Sequence, residues 1–258
     1  MGILVVLCLF TCWCFSQGLT WESTTTVSAA GGKEIHSTSY YSSHMFKQSS
    51  ENNASIFLLD KGMIIRVDNQ RKEYSEMTFA ELESQVKNAS GALDTKMAEM
   101  EKKLESMPPE QRKMVEQMMG DKLKGASGES SVDVTKTTET KTISGYPCTK
   151  YVVKQGDKDF ATLWTTTSVP DFSGMKDDFK EFSARVSSMI PMKGAQIATA
   201  MKKVEGFPIQ TSLAGITTTV TKVTKGSIPA SEFEPPQGYT KVKAAGLDDM
   251  MHNNPQKQ

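Results

Sequence analysis

The sequence predicts an α+β fold: a curved antiparallel sheet with two helical insertions covering its concave face. Three observations predict it. Short runs rich in Thr and β-branched residues alternate with Gly-containing turns, the mark of hairpins. At two places the apolar period changes from two to three or four, the mark of amphipathic helices. The runs Ile56–Leu59 and Ala161–Trp164 are apolar on both faces, so matter must pack over the sheet.

The strands come first. Trp21–Val27, Ile35–Tyr41 and Met45–Gln48 read as short extended pieces. Ile56–Leu59 and Met63–Val67 flank Asp60-Lys61-Gly62, and Lys72–Met77 follows the turn at Asp68-Asn69. Thr78 then offers an N-cap with Glu81 three residues on, a capping box. Val86, Leu93, Met100 and Met107 recur every seven residues, which extends a helical segment to Pro108-Pro109, where a proline ring ends it. Met114, Val115, Met118 and Met119 stripe a second helix, closing a helical region over about 78–124.

Strands resume at Val132–Ile143, whose polarity suits an edge, and at the hairpin Cys148–Val153 with Asp159–Thr167. Phe172, Met175, Phe179, Phe182, Val186 and Met189 step by threes and fours, placing a second helical region over 171–205. Ile209–Leu213 and Ile216–Val223 make a third hairpin. Hairpins imply antiparallel pairing, and helical excursions are the natural cover for such a sheet.

The termini read differently. Gly2–Phe15 (GILVVLCLFTCWCF) is an apolar run without charge, and none appears before Glu22. It is shorter than the ~20 residues a membrane-spanning helix needs. Small residues at Ser16 and Gly18 make it a cleaved secretory signal, cut after one or the other. The usual basic leading region is missing, and an uncleaved anchor or a buried first strand are the competing readings. The division expected is a signal peptide at 1–18, one domain over 19–240 and a disordered tail over 241–258. The location expected is secreted, in the periplasm.

Processing would remove Cys8, Cys12 and Cys14 and leave Cys148 alone, so burial rather than a disulfide framework must hold the fold. Lipid attachment at Cys12 or Cys14 wants a small preceding residue, and Thr11 and Trp13 are poor ones. Lysine plus arginine and aspartate plus glutamate are equal at 30 each, which argues against nucleic acid as a partner. Peripheral membrane contact is compatible with this balance.

Several landmarks coincide: Lys72-Glu73-Tyr74-Ser75-Glu76-Met77, Met107-Pro108-Pro109-Glu110-Gln111-Arg112, Ile143-Ser144-Gly145-Tyr146-Pro147-Cys148-Thr149-Lys150-Tyr151, and Phe233-Glu234-Pro235-Pro236 with Gly238-Tyr239. Together they resemble a family of secreted bacterial proteins of unknown function, itself similar in layout to the LolA/LolB-like proteins that ferry lipoproteins. The resemblance implies a half-barrel whose concave face is closed by helices over an apolar cavity. It supplies no activity and no cofactor.

No nucleophile elbow, zinc-protease helix, phosphate-cradling loop or paired metal cysteines occurs, so no enzyme is expected. The methionine stripe has three readings: core packing, a deformable apolar surface, or a Cu(I) site. Core packing fits its helical period best, and the histidines His36, His44 and His252 lie far from it in sequence. The function expected is non-enzymatic binding of a lipid or lipidated segment, with Phe57, Leu59, Trp164, Phe179 and Phe182 as the cavity wall. The alternative is a structural or interaction module of the envelope with a solid core and no ligand.

Overall fold

The computed structural model describes residues 15–88, 91, 95, 99, 108, 132–169, 174–181 and 202–244. Strands hold 60 % of them, so the described protein is mostly β. In chain order they are β1 (Phe15–Val27), β2 (Lys33–Ser42), β3 (Met45–Ser50), β4 (Asn53–Leu58), β5 (Met63–Asp68) and β6 (Glu73–Thr78). There follow β7 (Val132–Ile143), β8 (Tyr146–Gln155), β9 (Lys158–Thr166), β10 (Phe207–Leu213), β11 (Ile216–Pro229) and β12 (Thr240–Lys241).

All twelve belong to one sheet, ordered β12-β6-β5-β4-β3-β2-β1-β11-β10-β9-β8-β7. Two antiparallel meanders, β1 to β6 and β7 to β11, meet where β1 pairs with β11 from Phe15↔Pro229 to Val27↔Ile216. β12 lies parallel to β6, which makes the sheet mixed, and the sheet is open, with β7 and β12 as its edges.

The expectation of a purely antiparallel sheet covered by two helical insertions is therefore overturned. Two helical stretches occur among the described residues: α1 (79–88, with 91, 95 and 99 also helical) and α2 (174–181). Each packs on a patch of the sheet. The remaining positions of the expected helical segments, including Phe182 and most of the methionine stripe, lie outside the described residues. The inference from doubly apolar strands misidentified the cover on one side.

Cross-strand register shows why. Leu19, Tyr41, Phe46, Phe57, Ile64 and Met77 stand directly opposite one another from β1 to β6, forming an apolar row on one face. On the other face the pairs Ala54↔Val67, Ile56↔Ile65 and Leu58↔Met63 are also apolar. That second face is covered by the end of β11 and the chain's return after it. Ile228 and Phe233, the latter in a 3-10 turn at Ala230–Phe233, bury against Ala54, Ile56, Leu58, Ile65 and Val67, with Tyr239 alongside. The Lys47 ammonium pairs with Glu232 at 2.7 Å and fastens the turn to β3.

On the first face Trp21 is the hub. It meets Phe207 edge-on at 5.5 Å between ring centroids and Phe46 at 5.7 Å. Leu19, Cys148, Val169, Met175, Ile209 and Val220 complete that cluster. Gly18 is the one residue that fits where β1 crosses β2, because a Cβ there would drive into the Tyr41 carbonyl and the Ile228 side chain. Gly206 enters β10 at φ +80°, and a side chain would stand 2.5 Å from the Thr166 carbonyl oxygen.

The capping box forms as expected. Glu81 N–H donates to Thr78 Oγ1 at 3.1 Å, and Thr78 N–H and O–H both donate to Glu81 Oε2 at 2.7 and 2.9 Å. Those donated bonds hold the Glu81 carboxyl below the usual carboxylate range. Val242 N–H still bonds Tyr74 O beyond β12, while positions 245–258 of the expected tail lie outside the described residues.

Candidate functional site

The apolar row on the first face is interrupted at one place by space. A pocket of about 180 Å³ lies between β2 to β4 and α2. Tyr41, Phe46 and Phe57 come from the row itself, Gln48 from the neighbouring polar row, and Met45 and Leu59 from the strand ends. Met175, Asp178 and Phe179 of α2 form its other side. Phe57 and Phe46 pack at 6.0 Å between centroids, and Leu59 sits in a small cluster with Ile64 and Phe79. Phe179 is 53 % exposed, so one wall of the pocket is also solvent-facing.

One carboxylate faces this greasy space. Asp178 Oδ2 accepts the Tyr41 hydroxyl at 2.9 Å and the His44 backbone N–H at 2.7 Å, while Oδ1 lies 3.2 Å from His44 Nδ1. The side chain is 14 % exposed. His44 can present its N–H because it occupies the left-handed region, φ 60°, in the tight turn between β2 and β3. Its carbonyl in turn accepts Leu59 N–H at 2.8 Å. The three bonds therefore clamp α2 to the β2–β3 turn and set the pocket's polar end. Burial first, and then the bond to Asp178, push the Tyr41 phenol well above its ordinary range.

Of the five residues expected to line a cavity, Phe57, Leu59 and Phe179 come together here. Trp164 does not. It lies partly buried at the margin of the Trp21 cluster, with the Lys141 ammonium 4.2 Å from its ring centroid. Phe182 lies outside the described residues. The lining residues Tyr41, Phe46 and Asp178 were not anticipated. Tyr41 and Phe46 are signalled by pairing register, since the turn at Ser43-His44 places them opposite each other. Asp178 has no such signal, because an acid on a helix is by default solvated.

A second hollow, of about 350 Å³, is lined by Glu22, Ser23, Thr24, His36, Ser37 and neighbours on β1 to β3, with Glu51 and, from β11, Thr221. Its side chains satisfy one another, as in Ser23 with Ser37 at 2.9 Å and Thr24 with His36 at 3.1 Å. It is larger but wet, and it offers no apolar floor. Cys148 is buried away from both hollows; burial raises its thiol pKa, and its Sγ donates to Tyr146 O at 3.3 Å. Among the described residues no group of three His, Cys, Asp or Glu side chains gathers closely enough to hold a metal ion.

The family described as Domain of unknown function (DUF4412) matches residues 75–239. The chain belongs to that family. The DUF4412 match takes in α2, with Met175, Asp178 and Phe179, while the pocket's floor on β2 to β4 precedes it. No curated protein matches the chain. Among solved structures, that of PNGF-II is similar over 92 % of this chain at 11 % identity with a TM-score of 0.40, and the chain spans 34 % of that protein.

Proposed function

We propose that this DUF4412 protein is a secreted, periplasmic, non-enzymatic binding protein that takes the apolar chain of a lipid or of a lipidated segment. The pocket of Tyr41, Phe46, Phe57, Leu59, Met175 and Phe179 carries the reading. Its volume, about 180 Å³, is close to the ~150 Å³ of an apolar cavity known to admit benzene, so it holds the end of a chain rather than a whole lipid. The remainder of a longer chain would lie over the exposed ring of Phe179. Burial of apolar surface, worth ~25 cal/mol per Å², supplies the affinity. The apolar leader at Gly2–Phe15 supports export.

Titration with a neutral apolar fluorophore tests the reading. Saturable enhancement is expected at one site per chain, and Phe179→Asp, which places charge at the solvent-facing wall without emptying the core, should abolish it. An unsaturable, linear response from the parent protein would refute ligand binding and leave the alternative, an interaction module with a solid core.

A further inference from the structure

The polar end of the pocket is one-sided in its chemistry. Its oxygen-bearing groups are the Asp178 carboxylate and the Tyr41 hydroxyl oxygen, and the Gln48 amide on β3 is the other polar lining group. Among the described lining residues none is lysine or arginine. The Tyr41 proton and the His44 backbone N–H are already committed to Asp178 Oδ2, and the His44 ring stands 3.2 Å from Oδ1, so what Tyr41 and Asp178 have left for an occupant is lone pairs. Asp178 is also shielded from water, 14 % exposed, where a like charge is screened less than at a surface. A carboxylate or phosphate brought beside it would lose hydration and meet repulsion, and no lysine or arginine among the described lining residues offsets either.

We infer that the pocket selects among apolar ligands by headgroup: it accepts chains ending in a hydrogen-bond donor that is neutral or cationic, such as a hydroxyl or an amine, and rejects fatty carboxylates. This deepens the proposed function and rests on it. An incoming O–H or N–H would reach the remaining lone pairs of Asp178 or Tyr41. Asp178 thus has two tasks. It holds α2 to the β2–β3 turn, and it supplies the repulsive element that specificity requires.

The experiment compares three ligands of one chain length, decan-1-ol, decylamine and decanoate, by displacement of the neutral fluorophore from the full chain at neutral pH. Decanol and decylamine should displace it at concentrations at least about tenfold below decanoate, and Asp178→Asn should narrow that gap to within about threefold. The asparagine keeps the side-chain shape and still accepts from Tyr41, and circular dichroism reports whether the variant folds. If it does not fold, Gln48→Lys serves instead: it adds a cation on the opposite wall and should improve decanoate displacement selectively. Equal displacement by decanol and decanoate in the parent protein would overturn the headgroup rule while leaving apolar binding intact. A fluorophore that never binds would overturn both.

Discussion

Tyr41 shows how much one side chain can carry. Its position in β2 puts the ring in the apolar row, its hydroxyl fixes Asp178, and burial is the main cause of its raised pKa. A phenol whose folded pKa lies above its unfolded value contributes stability that is complete below about pH 10 and is lost as pH rises further. Thermal melts should therefore show the parent protein losing stability steeply above pH 10. Tyr41→Phe should be less stable at neutral pH by about 1 kcal/mol, for the lost hydrogen bond, yet show a shallower alkaline decline. Parallel alkaline curves for the two proteins would mean the titration belongs elsewhere. The same residue marks the limit of reading a site from sequence. Phe57, Leu59 and Phe179 are legible as large apolar groups in the right periodic company. Tyr41 acquires its meaning from a helix about 137 residues away in the chain, and only coordinates bring Asp178 to it.

At the scale of elements, the stretch from the end of β11 onward does more than join one strand to the next. It covers the second face of β4 and β5 through Ile228 of β11 and Phe233 beyond it, pairs Glu232 with Lys47, and leads to β12 against β6. Phe233 is 3 % exposed, so Phe233→Ala should cost about 3–5 kcal/mol in urea unfolding, more than any single substitution on the exposed faces of β7. A loss below 1 kcal/mol would show that the cover is loose. Strands were largely legible because turns at Asp60-Lys61-Gly62, Ser43-His44 and Ala214-Gly215 interrupt clear β-branched runs. β1 was expected from Trp21 and begins at Phe15, since its first residues look like part of an apolar leader. The cover on the second face was assigned to the wrong elements for a physical reason: an unbroken apolar run in a strand reports that both faces are dry, never what dries them. Helical periodicity attracted the assignment, and Phe233-Glu234-Pro235-Pro236, too short and too broken to show a period, escaped it.

Across the whole molecule, the seam between β1 and β11 joins residues near the start of the described chain to residues past 216, thirteen pairs in all. Each meander alone ends in an unpaired strand at that line. Removing residues 227–258 takes Ile228, Phe233 and β12 together and shortens the seam, and the product should bind hydrophobic dye strongly and lose near-ultraviolet dichroism while keeping much of its far-ultraviolet signal. A truncated protein with the parent's near-ultraviolet spectrum would show that the first meander stands by itself.

The strand that β1 needs is the last but one in chain order among the described strands. The centre of the sheet can close only once everything between β1 and β11 has been made, and contacts this distant along the chain are slow to form. Until then the unpaired backbone edge of β1 is open to capture, by a chaperone or by another copy.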